Sequence, residues 1–255
     1  MYDIGIDLGS RTSKIVVLNK QSLVYNKIND TGVNPKETSK KLLQSALKDL
    51  KIDKNQINHI YTTGYGRNIV PFSDKRISEI SCHAKGVNHL IPEVRTIIDI
   101  GGQDSKVILV NKSGRVLDFA MNDKCAAGTG KFLEVTATTL ETTVDKLGEL
   151  SNKSTRVVKV NSTCVVFAES EIIGLIADGK NKTDIIKAIH HSIAKRTKNL
   201  LAQLHWQSPV IFTGGVARNE GMVKAISEIL DIEIFTPSNS VITGALGAAL
   251  FAREG

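Results

Sequence analysis

The sequence has few aromatic residues and no long apolar run. Aromatics make up 5% of the 255 residues, and the basic residues behind the net charge of +7 are scattered, so we expect no nucleic-acid partner. No stretch approaches the roughly 18 apolar residues that a membrane span needs. Asp3 and Asp7 stand where a signal peptide would keep its apolar stretch. These absences predict a soluble cytoplasmic protein with no membrane partner.

Cysteine is also scarce. Three cysteines, an odd number in a chain of this length, do not form a disulfide framework, which leaves reduced thiols or metal ligands. Hydrophobic residues at 41% and charged residues at 23% are ordinary globular values. The length favours two small domains.

An internal repeat is the strongest positive signal. Residues 6–20, IDLGSRTSKIVVLNK, align without a gap on residues 98–112, IDIGGQDSKVILVNK. Each copy has an apolar strand, a polar turn containing glycine and a second strand, which predicts a β-hairpin. The residues that recur in the two copies are Ile6, Asp7, Gly9, Ser13, Lys14, Asn19 and Lys20 as Ile98, Asp99, Gly101, Ser105, Lys106, Asn111 and Lys112. Since strands and helices alternate along the rest of the chain, we predict an α/β fold built from two duplicated halves.

Two stretches resemble a phosphate-binding Walker loop, and we reject both. GLIADGKN has Asn181 where the motif requires Ser or Thr for magnesium, and a predicted helix precedes it. Its Gly179 is better explained as the end of that helix. CAAGTGKF places Cys125 and Phe132 at defining positions, so it fails as well.

The two hairpin turns offer another way to hold a triphosphate. Each presents backbone N–H groups, small polar side chains and a lysine to an anion. The predicted contacts are Gly9, Ser10, Arg11, Thr12, Ser13 and Lys14 in the first turn, and Gly101, Gly102, Gln103, Asp104, Ser105 and Lys106 in the second. One such turn alone is more often an ordinary hairpin turn. The duplication in matched register reverses that preference.

Four side chains of these turns are candidates for the chemistry. Asp7 and Asp99 would be too acidic beside phosphate without a divalent cation, so we assign them to Mg²⁺ through water. Gln103 and Asp104 are the candidates for orienting the hydrolytic water, and the sequence does not choose between them.

Small residues near the C-terminus complete the predicted nucleotide site. Gly214, Gly215 and Val216 follow a strand in VIFTGGVAR, where the backbone can approach a purine and ribose. Asn219 is a good N-cap for the next helix. The terminal helix TGALGAALFA begins near Gly244, and its small residues allow close approach of another backbone or a ligand.

Taken together, the paired hairpins, TGGVARN and GALGAAL resemble the actin, sugar kinase and Hsp70 superfamily. DIGGQDSK, NDKCAAGTGKFLE, TTGYGR, SEISCHAKG and CVVFAESEII resemble the BadF/BadG/BcrA/BcrD ATPase family within it, in particular the activators of 2-hydroxyacyl-CoA dehydratases. The resemblance covers essentially the whole chain. It implies two RNase H-like domains that close on ATP, at 1–92 and 93–239, with a helix at about 240–255 returning to the first. Arg11 departs from the family turn, which usually has Thr or Ser.

Cys125 and Cys164 each stand just before a predicted helix start, where the helix dipole and unpaired N–H groups stabilise a thiolate. A cubane iron–sulfur cluster normally needs four thiolates, so two per chain would require two chains. The resemblance implies that arrangement, a homodimer bridged by one [4Fe-4S] cluster. Cys82 we interpret as a core thiol, and the histidines as structural or solvated.

The resemblance also implies a function. ATP binding and hydrolysis (ATP to ADP, with Mg²⁺) would drive one low-potential electron to an iron–sulfur acceptor enzyme, usually a 2-hydroxyacyl-CoA dehydratase, in an oxygen-sensitive protein of an anaerobe. Ferredoxin or flavodoxin would recharge the dimer. Benzoyl-CoA reductase or another double-cubane reductase is an alternative acceptor. A sugar kinase of the N-acetylhexosamine type and an ATP-regulated assembly module remain alternative functions, although neither uses Cys125 and Cys164.

Overall fold

The computed structural model describes residues 1–160 and 164–255. The strands in this part of the chain are β1 (Tyr2–Leu8), β2 (Thr12–Asn19), β3 (Ser22–Asp30), β4 (Ile57–Thr63), β5 (Lys75–Arg76), β6 (Thr96–Ile100), β7 (Ser105–Val110), β8 (Val116–Asn122), β9 (Val210–Thr213) and β10 (Ile234–Phe235). The α-helices are α1 (Pro35–Leu50), α2 (Glu79–Leu90), α3 (Gly130–Thr139), α4 (Leu147–Asn152), α5 (Val165–Ala177), α6 (Lys182–Leu201), α7 (Glu220–Leu230) and α8 (Thr243–Arg253).

The described strands form two sheets with the same order. The first sheet runs β3-β2-β1-β4-β5, with β1, β2 and β3 antiparallel and β4 and β5 parallel to β1. The second runs β8-β7-β6-β9-β10, with an antiparallel β6–β7 hairpin and parallel β9 and β10. The hairpins are the two copies of the sequence repeat, so the predicted duplication of an α/β unit is confirmed.

Helices cover both faces of the first sheet. On one face Ile4 and Ile15 pack against Leu42 of α1. Asn34 starts α1 by accepting a hydrogen bond from the Glu37 N–H, and Pro35 occupies the first turn, where no N–H is needed. On the other face Val16 and Leu18 pack against α8 through residues that include Ala245, Leu246 and Ala249. A strand covered on both faces is buried along its length, as β1 is from Asp3 to Leu8.

The second sheet carries the largest core of the described residues. Ile98, Ile100 and Phe212 of its strands pack against α3, α5, α6 and α7 through residues that include Phe132 and Ile189. Asn219 begins α7 as predicted, because its Oδ1 accepts a hydrogen bond from the Met222 N–H. Gly179, at φ +71°, follows the end of α5, and its N–H binds the carbonyl oxygen of Ile176. This confirms its role as a helix end.

The described contacts divide the chain into two units. The first comprises Met1–Val94, Val110–Leu117 and Val241–Gly255, and the second comprises Arg95–Leu109 and Asp118–Ser240. Our domains at 1–92 and 93–239 stay a prediction about RNase H-like folding units. The units differ from them in the hairpin residues Val110–Leu117. In the described part of the chain, no helix is long and apolar enough to cross a membrane.

The sequence from Asp74 to His89 predicts one helix, but the structure divides this stretch. Lys75–Arg76 pairs with β4 as an edge strand, and α2 begins only after Ser78, which accepts a hydrogen bond from the Ser81 N–H. Cys164 stands just before a helix start, as predicted, because α5 begins at Val165.

Candidate functional site

The first hairpin turn holds Asp7 beside Lys14. Asp7 Oδ2 is 3.1 Å from Lys14 Nζ, and both side chains are largely buried. Within the described residues, Asp7 Oδ1 has no hydrogen-bond partner. An unsatisfied carboxylate oxygen in a buried position is costly and marks a place for a missing ligand or water. Asp7 therefore offers one oxygen suited to a hydrated cation, as its assignment to Mg²⁺ requires.

The turn itself is braced by Thr31. Its Oγ1 donates to the carbonyl oxygen of Gly9 at 2.7 Å and lies 2.7 Å from Ser13 Oγ. The Thr31 N–H donates to the carbonyl oxygen of Arg11 at 3.0 Å. The Ser13 hydroxyl, which we expected to face an anion, is thus buried and engaged by the fold. Ser10 and Arg11 are the exposed residues of the turn.

The second turn is more acidic. Lys106 is fully buried, and its Nζ lies 2.7 Å from Asp104 and 3.5 Å from Asp99. Asp99 also accepts a hydrogen bond from Thr213 Oγ1 at 2.8 Å. Of the two candidates for orienting water, Asp104 is therefore tied to a lysine, whereas Gln103 is exposed. Lys106 supplies the charge that makes two neighbouring carboxylates tolerable in a buried site.

The glycines of this turn are bound to the start of α3. The Gly130 N–H donates to the carbonyl oxygen of Gly101, and the Lys131 N–H donates to that of Gly102, each at 2.9 Å. A Cβ at Gly130 would come within 3.0 Å of the Gly101 oxygen. The turn and the helix start are therefore one rigid piece of backbone.

The two glycines of the GGVARN turn have different surroundings. Gly214 has φ +88°, and a Cβ there would collide with the carbonyl oxygen of Ile100, so only glycine is accommodated. A Cβ at Gly215 would meet no atom within 4 Å, so its side of the backbone is open. Val216 is buried. Gly244 lies in the first unit, where a Cβ would come 3.3 Å from Asp7 Oδ2.

Cys125 lies in a turn closed by Asn122. The Asn122 side chain accepts a hydrogen bond from the Cys125 N–H at 3.0 Å and donates one to the Cys125 carbonyl oxygen at 2.7 Å. A short 3-10 helix, Ala126–Gly128, follows directly and leads into α3. Asn122 is a functional candidate that sequence analysis missed, although it opens the NDKCAAGTGKFLE motif.

Cys164 is the N-cap residue of α5, and it is exposed. Its carbonyl oxygen accepts the first hydrogen bond of the helix, from the Ala168 N–H. Val165, the next residue, packs against the same core as Cys125, and α5 packs against α3. Both thiols are accessible and belong to segments that share one core. Two accessible thiols at helix starts fit the donor set of a cluster.

Cys82 has the opposite surroundings. It is fully buried in α2, and burial raises the pKa of its thiol to about 12. A thiol that stays protonated is a poor ligand and nucleophile. Our interpretation of Cys82 as a core residue therefore fits its environment.

Two histidines contact polar groups of the fold, and a third is buried. His83 Nδ1 lies 3.0 Å from Thr243 Oγ1, and His191 Nε2 lies 2.9 Å from Glu228. His190 is buried, and burial, followed by the nearby His191, lowers its pKa to about 3. It is thus a neutral ring in the folded protein.

Comparison with solved structures identifies the class of fold. A glucokinase of the ROK family from Streptomyces griseus matches with a TM-score of 0.58 at 12% identity, covering 100% of both chains. The activator of 2-hydroxyisocaproyl-CoA dehydratase from Clostridium difficile, solved with bound ADPNP, matches with a TM-score of 0.95 at 45% identity, covering 100% of this chain and 95% of that one. The protein has the α/β fold of the actin, sugar kinase and Hsp70 class.

The family follows from sequence. The model of the BadF/BadG/BcrA/BcrD ATPase family matches residues 4–252, and the chain belongs to that family. The 2-hydroxyisocaproyl-CoA dehydratase activator of Clostridioides difficile is 46% identical, over 100% of this chain and 96% of that protein. The activator of lactoyl-CoA dehydratase of Anaerotignum propionicum is 45% identical, over 100% of this chain and 98% of that protein. The resemblance stated from the motifs is confirmed.

Proposed function

We propose that the protein is an ATP-dependent electron-transfer activator. As a homodimer with one bridging [4Fe-4S] cluster, it would deliver a low-potential electron to an iron–sulfur acceptor enzyme, most directly a 2-hydroxyacyl-CoA dehydratase. The observation that carries the proposal is the pair of accessible cysteines, Cys125 and Cys164, at helix starts in a chain of this ATPase family. Relatives at 46% and 45% identity are named as activators of such dehydratases.

The nucleotide contacts that we propose lie on short turns in each unit. In the first unit they are Gly9, Ser10, Arg11, Thr12, Lys14 and Gly244, without Ser13, whose hydroxyl is buried against Thr31. In the second unit they are Gly101, Gly102, Gln103, Asp104, Lys106, Gly214, Gly215 and Val216. Asp7 and Asp99 hold Mg²⁺ through water, and the unpartnered Asp7 Oδ1 supports the first assignment. Exposure makes Gln103 the better placed of the two residues for contact with water, while Lys106 holds Asp104.

The cluster ligands that we propose are Cys125 and Cys164 of each protomer. When bound, the cluster supplies a one-electron reductant. The protein contributes thiolates at the positive ends of helices, which favour the anionic form of the ligands. A second chain is needed because Cys82 is buried and protonated, which leaves two suitable thiols per chain.

Backbone hydrogen bonds connect the second phosphate turn to the start of α3, and the chain leads from there back to Cys125. The carbonyl oxygens of Gly101 and Gly102 bind the N–H groups that begin α3, and Cys125 lies just before this helix. A change in the turn when nucleotide binds or is hydrolysed would therefore move the start of α3 and, with it, one cluster ligand. This connection supports the coupling of ATP to electron transfer that the proposal needs.

The electron donor in this scheme is ferredoxin or flavodoxin, and the protein is cytoplasmic and oxygen-sensitive. The free cysteines support the cytoplasmic location, because a reducing compartment keeps thiols reduced. The oxygen sensitivity follows from an accessible cluster shared by two chains, which would react readily with oxygen. A sugar kinase is not favoured, because the likeness to glucokinase at 12% identity concerns the fold alone.

The test is anaerobic purification of the wild type and two cysteine variants. The wild type should contain about four irons and four acid-labile sulfides per dimer. Cys164→Ala should lose the iron and the visible absorbance but keep its affinity for an ATP analogue within about twofold, since the cysteine is remote in sequence from the turns. Cys82→Ala, the matched control in the core, should keep its iron. A Cys164→Ala protein with wild-type iron content would refute the proposal.

A further inference from the structure

A buried carboxylate, Asp184, lies in the first turn of α6 and is 1% exposed. Its Oδ1 accepts hydrogen bonds from Ser154 Oγ at 2.8 Å, from the Thr155 N–H at 3.0 Å and from the Arg156 N–H at 3.1 Å. Burial alone would raise the pKa of Asp184, but the hydrogen bonds from Ser154, Arg156 and Thr155 outweigh it and hold the pKa below its ordinary value. The group is a charged acceptor that holds three donors.

The residues that make these hydrogen bonds lie on either side of Cys164 in the chain. Ser154–Arg156 follow α4 and precede Cys164, whereas Asp184 follows α5. The hydrogen bonds therefore join two positions that flank Cys164 and α5 in the chain. Val160 and Val165, which lie between these positions, pack against the core of the second unit.

The helix α5 is weakly anchored by its own side chains. Ala168 and Ile172 are its buried residues, while Val166, Phe167 and Ile173 are exposed. By contrast, α6 is buried along its length through residues that include Ile185, Ile189 and Ile193. A helix with few buried apolar contacts is the kind of element that opens locally at low free energy, so contacts outside the helix matter for holding it. Asp184 provides such contacts, because it joins Ser154–Arg156, before Cys164, to the start of α6, after α5.

We propose that Asp184 is a positioning residue for the iron–sulfur centre, which holds the segment bearing Cys164 so that its thiolate meets the cluster in a defined place. The inference rests on the proposed function, because it takes Cys164 as a cluster ligand. Groups that orient a metal ligand without touching the metal tune affinity and redox potential. Sequence analysis missed Asp184, because its partners lie on the far side of the cysteine segment.

The experiment compares Asp184→Ala, Asp184→Asn and Asp178→Ala in anaerobically prepared dimer. Asp178 is the matched control, an exposed aspartate at the end of α5. The readouts are the rate of iron loss to a chelator, the midpoint potential of the cluster and the affinity for an ATP analogue. Asp184→Ala should lose iron at least about tenfold faster and shift the potential, with nucleotide affinity unchanged. Asp184→Asn should be intermediate, because the amide oxygen still accepts hydrogen bonds but carries no charge.

Wild-type iron loss and potential in Asp184→Ala would overturn the inference. If that variant does not fold, Ser154→Ala decides instead: it removes one donor and should accelerate iron loss in the same direction by a smaller factor, and wild-type behaviour would again overturn the inference. The two proposals fail separately. Iron retained in Cys164→Ala refutes the function, whereas iron lost there but held normally in Asp184→Ala refutes the positioning role alone.

Discussion

Asp104 and Thr12 occupy the same place in the two copies of the repeat, and so do Gln103 and Arg11. These exchanges give the turns opposite character: the first combines two cations with Asp7, and the second combines one buried lysine with two carboxylates. In the proposed site, the cations of the first turn would favour phosphate oxygens. The carboxylates, Asp7 as well as Asp99 and Asp104, would favour a cation and water.

The buried His190 ring predicts that the stability of the protein depends on pH. Its pKa in the fold is about 3, against an ordinary value of 6.5, because burial disfavours its charged form. In the unfolded chain His190 binds a proton below about pH 6.5, whereas in the folded chain it does so only near pH 3. The free energy of unfolding should therefore fall as pH is lowered through that window, by up to about 1.4 kcal/mol per pH unit from this residue.

Urea unfolding at pH 7.5, 6.5 and 5.5 checks the expectation. His190→Gln should flatten the decline of stability between the last two values. His205→Gln, at an exposed histidine outside this cluster, is the control and should keep the wild-type slope. An unchanged slope in His190→Gln would show that the ring is not a neutral buried group.

The first unit depends on close packing of α8 against α2. A Cβ at Gly247 would collide with the carbonyl oxygen of Cys82, and one at Gly86 with that of Thr243. Contacts of this kind bring two helix backbones together and need glycine at the crossing. The sequence left open whether the small residues of the terminal helix approach another backbone or a ligand. In the structure, Gly247 approaches the backbone of α2.

Gly247→Ala tests this packing. Because the added methyl group meets fixed backbone, the variant should lose about 1–3 kcal/mol of stability in urea unfolding. Gly174→Ala is the matched helical control, since a Cβ there meets nothing within 4 Å. It should gain about 0.5–1 kcal/mol from its better helix propensity. Equal effects of the two substitutions would mean that the crossing has room to relax.

The proposed cluster requires two chains, and we expect them to meet at the exposed apolar face of α5. Val166 is 70% exposed and Phe167 69% exposed, two and three residues after Cys164. Apolar surface beside a proposed shared ligand is the surface that a second copy would cover.

Phe167→Asp should therefore convert the anaerobic dimer to monomer and lower its iron content, as measured by light scattering after gel filtration and by iron assay. Val33→Asp is the control, because Val33 is a fully exposed valine of the first unit and should tolerate the charge. A Phe167→Asp dimer with full iron would place the interface elsewhere.

Short-range patterns determined much of this protein in advance. The duplicated hairpins, the α/β class, the Asn219 cap and the end of α5 at Gly179 followed from sequence, because turn chemistry, capping and strand periodicity act between residues a few positions apart. The family motifs were long enough to identify the ATPase family and the candidate cysteines.

Tertiary structure alone decided which distant groups meet. Three contacts join residues that are far apart in the chain. They are the hydrogen bonds that Asp184 accepts, the hydrogen bond from Thr31 that braces the first turn, and the approach of Gly247 to Cys82. Such contacts depend on how whole elements pack, and a single sequence carries no local pattern for them. The sequence therefore named the cysteine ligands that we propose, while the fold brought together Asp184 and the three donors from which we infer its positioning role.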